Sequence, residues 1–214
     1  MKLLVLGASG ACGSHVVRLA VARGHEVTAV ARPTSTYRAP AGASLLHGEV
    51  LDDGFVAESV SEHETVISCL GLRRSSIVPW SRLLSPPTLV RSVMGSLVKH
   101  AGASTRVSWI SAGGVGDSRT RAAAPIRVLI DAGNVGTAYR DLEAAEQLVL
   151  EAGRPWLAVR PVTLLPGGPS KGARPVDRYG LFSVVRRGDV AEWMLDSADG
   201  TRPFDGPAVM LGAA

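Results

Sequence analysis

Gly7-Ala8-Ser9-Gly10-Ala11-Cys12-Gly13 separates two different patterns. Before it, Leu3-Leu4-Val5-Leu6 is a short, continuous apolar run, the mark of a strand buried on both faces. After it, Val16, Val17, Leu19, Ala20 and Val21 recur at helix-like spacing as far as Arg23, and Gly24 closes the segment. Three glycines spaced three apart therefore join a strand to a helix. Gly7 lets the chain turn sharply out of the strand. Gly10 lets the backbone approach a pyrophosphate with no Cβ in the way, and Gly13 lets the helix pack close on the sheet. The helix N-terminus offers unpaired N–H groups and the positive end of its dipole to the phosphates, and Ser9 adds a hydroxyl. A lone glycine triplet is a weak signal, but its place at the start of a βαβ pattern is the context a dinucleotide-binding turn requires. Gly7, Ser9, Gly10, Ala11, Cys12 and Gly13 are therefore candidate cofactor-binding residues, Cys12 as a small side chain facing the fold.

The same alternation continues along the chain. Strands are expected at His25–Ala31, Ser44–His47, Thr65–Leu70, Arg106–Ile110, Trp156–Arg160 and Val209–Leu211. Helices are expected at Phe55–Ser61, Thr88–His100, Ala138–Leu150 and Val190–Ser197. Near-continuous apolar strands alternating with helices specify an α/β fold: a doubly wound parallel sheet in three αβα layers, and a single domain over residues 1–214. Three stretches, 71–87, 113–136 and 162–179, read as irregular loops. Each follows a strand, on the side where open parallel sheets bind ligands.

The end of the second strand bears on the choice of cofactor. About 20 residues after the glycine turn, an NAD site usually places a carboxylate on the ribose 2′-hydroxyl. Here the strand ends Val30-Ala31-Arg32, with no acid. A guanidinium grips a 2′-phosphate with a planar fork, so Arg32 favours NADP(H), with NAD(H) possible. Gly48-Glu49-Val50-Leu51-Asp52 after the third strand and Cys69-Leu70-Gly71 after the fourth reach the same crevice. Val50, Leu51, Cys69, Leu70 and Gly71 join the candidate cofactor-binding set.

Composition narrows the partners. The 214 residues are 46% hydrophobic with a formal charge of +4, and the arginines are scattered rather than gathered in the stripe a nucleic-acid surface needs. Two cysteines are too few for a disulfide framework, and no metal-ligand spacing is present. The apolar run before Gly7 is too short for a signal peptide, and no segment approaches the roughly 20 apolar residues of a membrane span. A cytoplasmic protein acting on a small molecule, with no nucleic acid, membrane or metal, is expected. Nothing in the sequence bears on oligomeric state.

The glycine turn GASGACG, the ARP after strand two, GEVLDD, WISAGG, AAEQLVLEAGRPWLAVRP and RRGDVAEWML together resemble the atypical short-chain dehydrogenase/reductase proteins. The closer likeness is to the NmrA-like group that includes biliverdin-IX-beta reductase, a flavin reductase. The resemblance spans nearly the whole chain and implies a Rossmann fold and an NADPH-dependent oxidoreductase of small planar, quinone, flavin or carbonyl acceptors. It implies Ser111 beside the nicotinamide with Ala112 next to it, and Pro161 and Val162 at the strand-six edge of that pocket. One departure stands out. The best-known short-chain reductases pair a tyrosine with a lysine four residues later, whereas Tyr37, Tyr139 and Tyr179 are followed there by Ala41, Glu143 and Ser183. Ser111 and Tyr139 are the candidate catalytic hydroxyls. Two other functions compete: a non-catalytic NADP(H) sensor acting through a protein partner, which the missing pair also fits, and a sugar-nucleotide epimerase or dehydratase, for which the chain is short. Arg73, Arg74, Trp80, Arg119, Arg121 and Arg127 are candidate pocket residues on the loops.

Overall fold

The computed structural model describes residues 1–76, 78–203 and 206–214. Its centre is an eight-stranded sheet made of β1 (Lys2–Leu6), β2 (Glu26–Ala31), β3 (Ala43–His47), β4 (Thr65–Ser68), β5 (Arg106–Ile110), β6 (Leu157–Pro161), β8 (Ala173–Pro175) and β10 (Ala208–Ala213). The strand order is β3-β2-β1-β4-β5-β6-β10-β8. Neighbours run parallel, with Leu3 opposite both Val27 and Thr65, except that β8 is antiparallel to β10. The chain leaves β1 toward β2 and returns on its other side at β4, so the strand order reverses between β1 and β4. That reversal opens the crevice in which such sheets bind ligands.

β1 shows why its sequence is apolar throughout. Leu3 and Val5 enter one core cluster, with Val16, Val17 and Ala20 of α1 (Gly13–Ala22) and Trp193, Met194 and Leu195 of α6 (Arg187–Ala198). Leu4 and Leu6 enter the other, with Val56 and Val60 of α2 (Asp53–Ser61), Met94 and Leu97 of α3 (Leu89–His100) and Val149 of α5 (Gly133–Glu151). A strand covered on both faces cannot alternate polar and apolar residues, and Leu3 to Leu6 are at most 1% exposed. The helices dock to one another as well. Asp141 of α5 accepts from the N–H groups of Val90 and Arg91, at 2.9 and 3.0 Å, and so caps α3 from a neighbouring helix.

The structure corrects the reading of two loops. Residues 113–136 are mostly helical: a 3₁₀ turn at Gly116–Arg121, α4 (Ala124–Asp131), and α5 beginning at Gly133, five residues before the expected Ala138. Pro125 sits in the first turn of α4, where its missing N–H costs nothing. Ile126 and Ile130, one turn apart, pack in the core cluster that holds Tyr179. Residues 162–179 contain β7 (Thr163–Leu165) and β8. β7 pairs in parallel with β9 (Val184–Arg186), a strand the sequence pattern does not suggest. Three-residue strands are too short to show a period. The described residues of 71–87 contain no regular strand, but the two ends of the segment pair with each other. Leu84 donates to the Arg73 carbonyl at 2.8 Å and Ser75 to the Arg82 carbonyl at 2.9 Å, with Arg74 bridged to Leu83, which makes a narrow flap.

Among the described residues, no helix is long and apolar enough to cross a membrane.

Candidate functional site

The glycine turn is built as tightly as its spacing implies. Gly7 adopts φ +76°, a left-handed conformation that disfavours any side chain. A Cβ on Gly13 would lie 2.3 Å from the Gly7 carbonyl oxygen and 3.0 Å from the Ala8 Cα, so α1 reaches the sheet only because residue 13 has none. The Gly10 N–H closes the turn on the Gly7 carbonyl at 2.9 Å. Beyond it α1 starts uncapped: Cys12 at the N-cap makes no side-chain bond and the first turn has no acid. Among the described residues, the N–H groups of Ser9, Ala11 and Cys12 have no acceptor within the protein. A set of free N–H donors at a helix N-terminus is what an anion requires.

This turn forms one wall of a cavity of about 380 Å³ at the carboxyl ends of the strands. Gly7, Ser9 and Gly10 line it from β1, Val30, Ala31 and Arg32 from β2, Glu49, Val50 and Leu51 from the segment after β3, and Cys69, Leu70 and Gly71 from the exit of β4. The root of the flap, at Arg73, Leu84 and Ser85, closes the outer side. Nine of the sequence-derived cofactor residues therefore share one wall system: Gly7, Ser9, Gly10, Arg32, Val50, Leu51, Cys69, Leu70 and Gly71. Three charged side chains face it, Arg32, Arg73 and Glu49, and among the described residues none of them is in an ion pair. By contrast Arg119 and Arg121, read from sequence as pocket residues, are held by Asp131 and by Asp117 and Asp177 and do not line the cavity.

Ala11, Cys12 and Gly13 do not line the cavity: Ala11 is exposed, and the side of the turn at Cys12 and Gly13 is buried. Burial pushes the Cys12 thiol up to about 11, against a smaller downward pull from Arg187. The Cys69 thiol is raised too, by burial and then by its neighbour Cys12. Thiolate is the reactive form. At pH 8, Cys12 should react with iodoacetamide more than about 100-fold more slowly than free cysteine. A rate like that of free cysteine, followed by peptide mass spectrometry, would contradict this account of the turn.

The residues expected around the nicotinamide occupy different surroundings. Ser111 is 4% exposed, and its hydroxyl donates to Glu146 Oε1 at 2.5 Å. Pro161 is buried, its carbonyl taken by the Gly113 N–H at 2.8 Å, and Val162 belongs to the core. Ala112 is half-buried. None of these four lines the cavity. The Tyr139 hydroxyl donates to the Gly113 carbonyl at 3.1 Å, and burial, reinforced by nearby Tyr179, raises its pKa above the ordinary phenol value. That direction is opposite to the one a proton-donating tyrosine needs.

Ser111 belongs to a buried network that the motif analysis missed. Arg160 of β6 grips Glu146 of α5 with two bonds, of 3.0 and 2.5 Å, and reaches Asp117 at 2.6 Å. Both Arg160 and Glu146 are 7% exposed at the side chain. The signal was present: Arg160 is a charge inside the apolar strand LAVRP, and a buried guanidinium demands a partner.

Comparison with known proteins agrees with this geometry. The family described as NAD(P)H-binding matches residues 7–200. The solved structure of ChuY, an anaerobilin reductase from Escherichia coli O157:H7, superposes with a TM-score of 0.77 at 23% identity, covering 100% of this chain and 97% of that one. A short-chain dehydrogenase/reductase from Veillonella parvula, solved in complex with NADP, gives a TM-score of 0.75 at 14% identity over 99% of this chain and 94% of that one. A probable pinoresinol-lariciresinol reductase of Arabidopsis thaliana is 31% identical over 110 residues, which are 49% of this chain and 32% of the plant protein. With the glycine turn, the reversal of strand order and the family match in agreement, the chain belongs to the NAD(P)H-binding family and has its Rossmann-like α/β fold.

Proposed function

We propose that the protein is an NADPH-dependent reductase that passes hydride to a small, flat acceptor of the quinone or flavin type. The observation that carries the cofactor half is the pair of unpaired guanidiniums, Arg32 and Arg73, on a cavity whose β2 edge lacks a carboxylate. Two cations held in no ion pair, against the single carboxylate of Glu49 on the same cavity, favour a ligand with an additional phosphate. The free N–H groups of Ser9, Ala11 and Cys12 would hold the pyrophosphate. Glu49, Val50 and Leu51 would flank the adenosine. Supplied as the reduced nicotinamide, the cofactor contributes two electrons and a proton together as hydride.

The acceptor half follows from what the hydroxyls are doing. Ser111 has committed its proton to Glu146 and Tyr139 to the Gly113 carbonyl. No lysine activates either. A carbonyl acceptor needs an acid at the oxygen as hydride arrives, whereas quinones and flavins delocalise the charge and take their proton from water. The same committed hydroxyls support the second reading, an NADP(H) sensor without turnover. The test is a fluorescence titration with NADPH and NADH, followed by NADPH consumption with riboflavin and menadione. We expect tighter NADPH binding and steady consumption. Equal or better NADH binding would remove the phosphate argument, and tight binding without consumption would leave the sensor.

A further inference from the structure

The chain has four tryptophans. Trp109 and Trp156 are 1% exposed and Trp193 5%, while Trp80 is 75% exposed. An exposed indole on a loose loop calls for no explanation, but the backbone around Trp80 is held on both flanks. The Asn134 N–H donates to the Pro79 carbonyl at 2.6 Å, and the Asn134 side-chain amide donates to the Ser81 carbonyl at 2.8 Å. Gly133, at φ +49°, comes so close that a Cβ there would sit 3.1 Å from the Trp80 Cα. The flap tip is thus latched to the head of α5, and the indole is presented to solvent from a fixed base.

Its position gives that presentation a meaning. The flap leaves β4 at Gly71, its root walls the cavity, and its tip lands where the β5 connection enters α5. In a dinucleotide fold the adenosine lies over the β1–β3 half and the nicotinamide over the half begun by β4. The tip therefore stands over the half where hydride leaves. Tyr139, about one and a half turns along α5 from the latch, reaches the Gly113 carbonyl just past β5, which places that helix end above the same strands. Leu129 of α4, four residues before Gly133 in the chain, is a second apolar group that is 50% exposed.

We infer that Trp80 is the surface on which the acceptor ring stacks, so that the flap tip is the acceptor subsite. The inference rests on the reductase reading above and adds to it the residue that selects a flat ring. An electron-rich indole face favours offset stacking with electron-poor rings such as quinones and isoalloxazines. Little of an aliphatic acceptor's surface would be covered there.

Riboflavin is the probe, because it carries no phosphate to be drawn to Arg32 or Arg73. Its anisotropy and emission are followed during titration with the full-length protein saturated with NADP⁺, using wild type, Trp80→Ala and Trp80→Phe, each checked for an unchanged melting temperature. The wild type should bind riboflavin and quench its emission. Trp80→Ala should weaken riboflavin binding about tenfold, the worth of a lost aromatic pair, with NADP⁺ affinity unchanged. Trp80→Phe should retain affinity within about threefold while relieving the quench. Riboflavin binding that Trp80→Ala leaves intact, or wild type that does not bind riboflavin, overturns the subsite. The reductase reading is judged separately, by NADPH consumption with menadione.

Discussion

Replacing Arg32 with alanine should weaken NADPH binding by roughly 10- to 100-fold and leave NADH binding within about twofold. The range follows from the typical contribution of a hydrogen bond to a charged partner, about 1.5–3 kcal/mol, and one such bond lost is about a factor of ten per 1.4 kcal/mol. Arg32 is exposed and its side chain has no partner in the protein among the described residues, so removing it disturbs no internal contact. The change should be confined to binding, with no change in melting temperature without ligand. Selectivity is the informative quantity. Equal losses for NADPH and NADH would mean that Arg32 touches a part common to both, and no loss for either would mean that it lies outside the site. Arg73 faces the same cavity, so Arg32→Ala/Arg73→Ala should lose more than either alone.

Glu146→Ala should destabilise the fold strongly, by about 3–5 kcal/mol. Removing one member of a buried ion pair leaves the other charged and dry. Arg160 would keep Asp117, whose side chain is 63% exposed, so the loss belongs at the lower end. For a chain of this size that is a fall in melting temperature of roughly 6–12 °C. The contrast is the double change Glu146→Leu/Arg160→Met, which removes both charges and should recover most of the stability. If Glu146→Ala melts within about 2 °C of wild type, the pair is not the anchor its geometry indicates. Ser111 loses its acceptor in either variant, so comparing their turnover with their melting separates its role in the reaction from its role in the core.

How much of this was legible in the sequence depended on how local the cause was. The βαβ start could be read because Leu3–Leu6, three glycines and a helical stripe lie within about twenty residues and each has its own physical signature. The cavity wall could be read for the same reason: strand ends in a parallel sheet all point to one edge, so Arg32, Val50, Leu51 and Cys69 to Gly71 were placed by counting strands. The nicotinamide side could not be read this way. Whether Ser111 offers its proton outward or to Glu146 is decided by residues 35 positions apart, and no spacing rule spans a helix packed on a sheet. α4 was hidden because its buried face is only Ile126 and Ile130, flanked by alanines that read equally well as loop. The latch under Trp80 joins positions 79–81 to Asn134 through mostly backbone groups, which leave almost no mark on side-chain identity.

The packing of α1 against α6 has a consequence for how the chain is made. Val16, Val17 and Ala20 are covered by Trp193, Met194 and Leu195, which lie more than 170 residues later. During synthesis the glycine turn is made well before the surface that fixes its helix, which does not exist until α6 has left the ribosome. Contacts of such wide separation make folding slow and leave apolar faces waiting for their partners. The nascent chain therefore carries a nearly complete nucleotide motif that can bind nothing firmly. Competence for the cofactor arrives as a single late event, and a ribosome stalled before α6 would release a chain prone to aggregate rather than a smaller working protein.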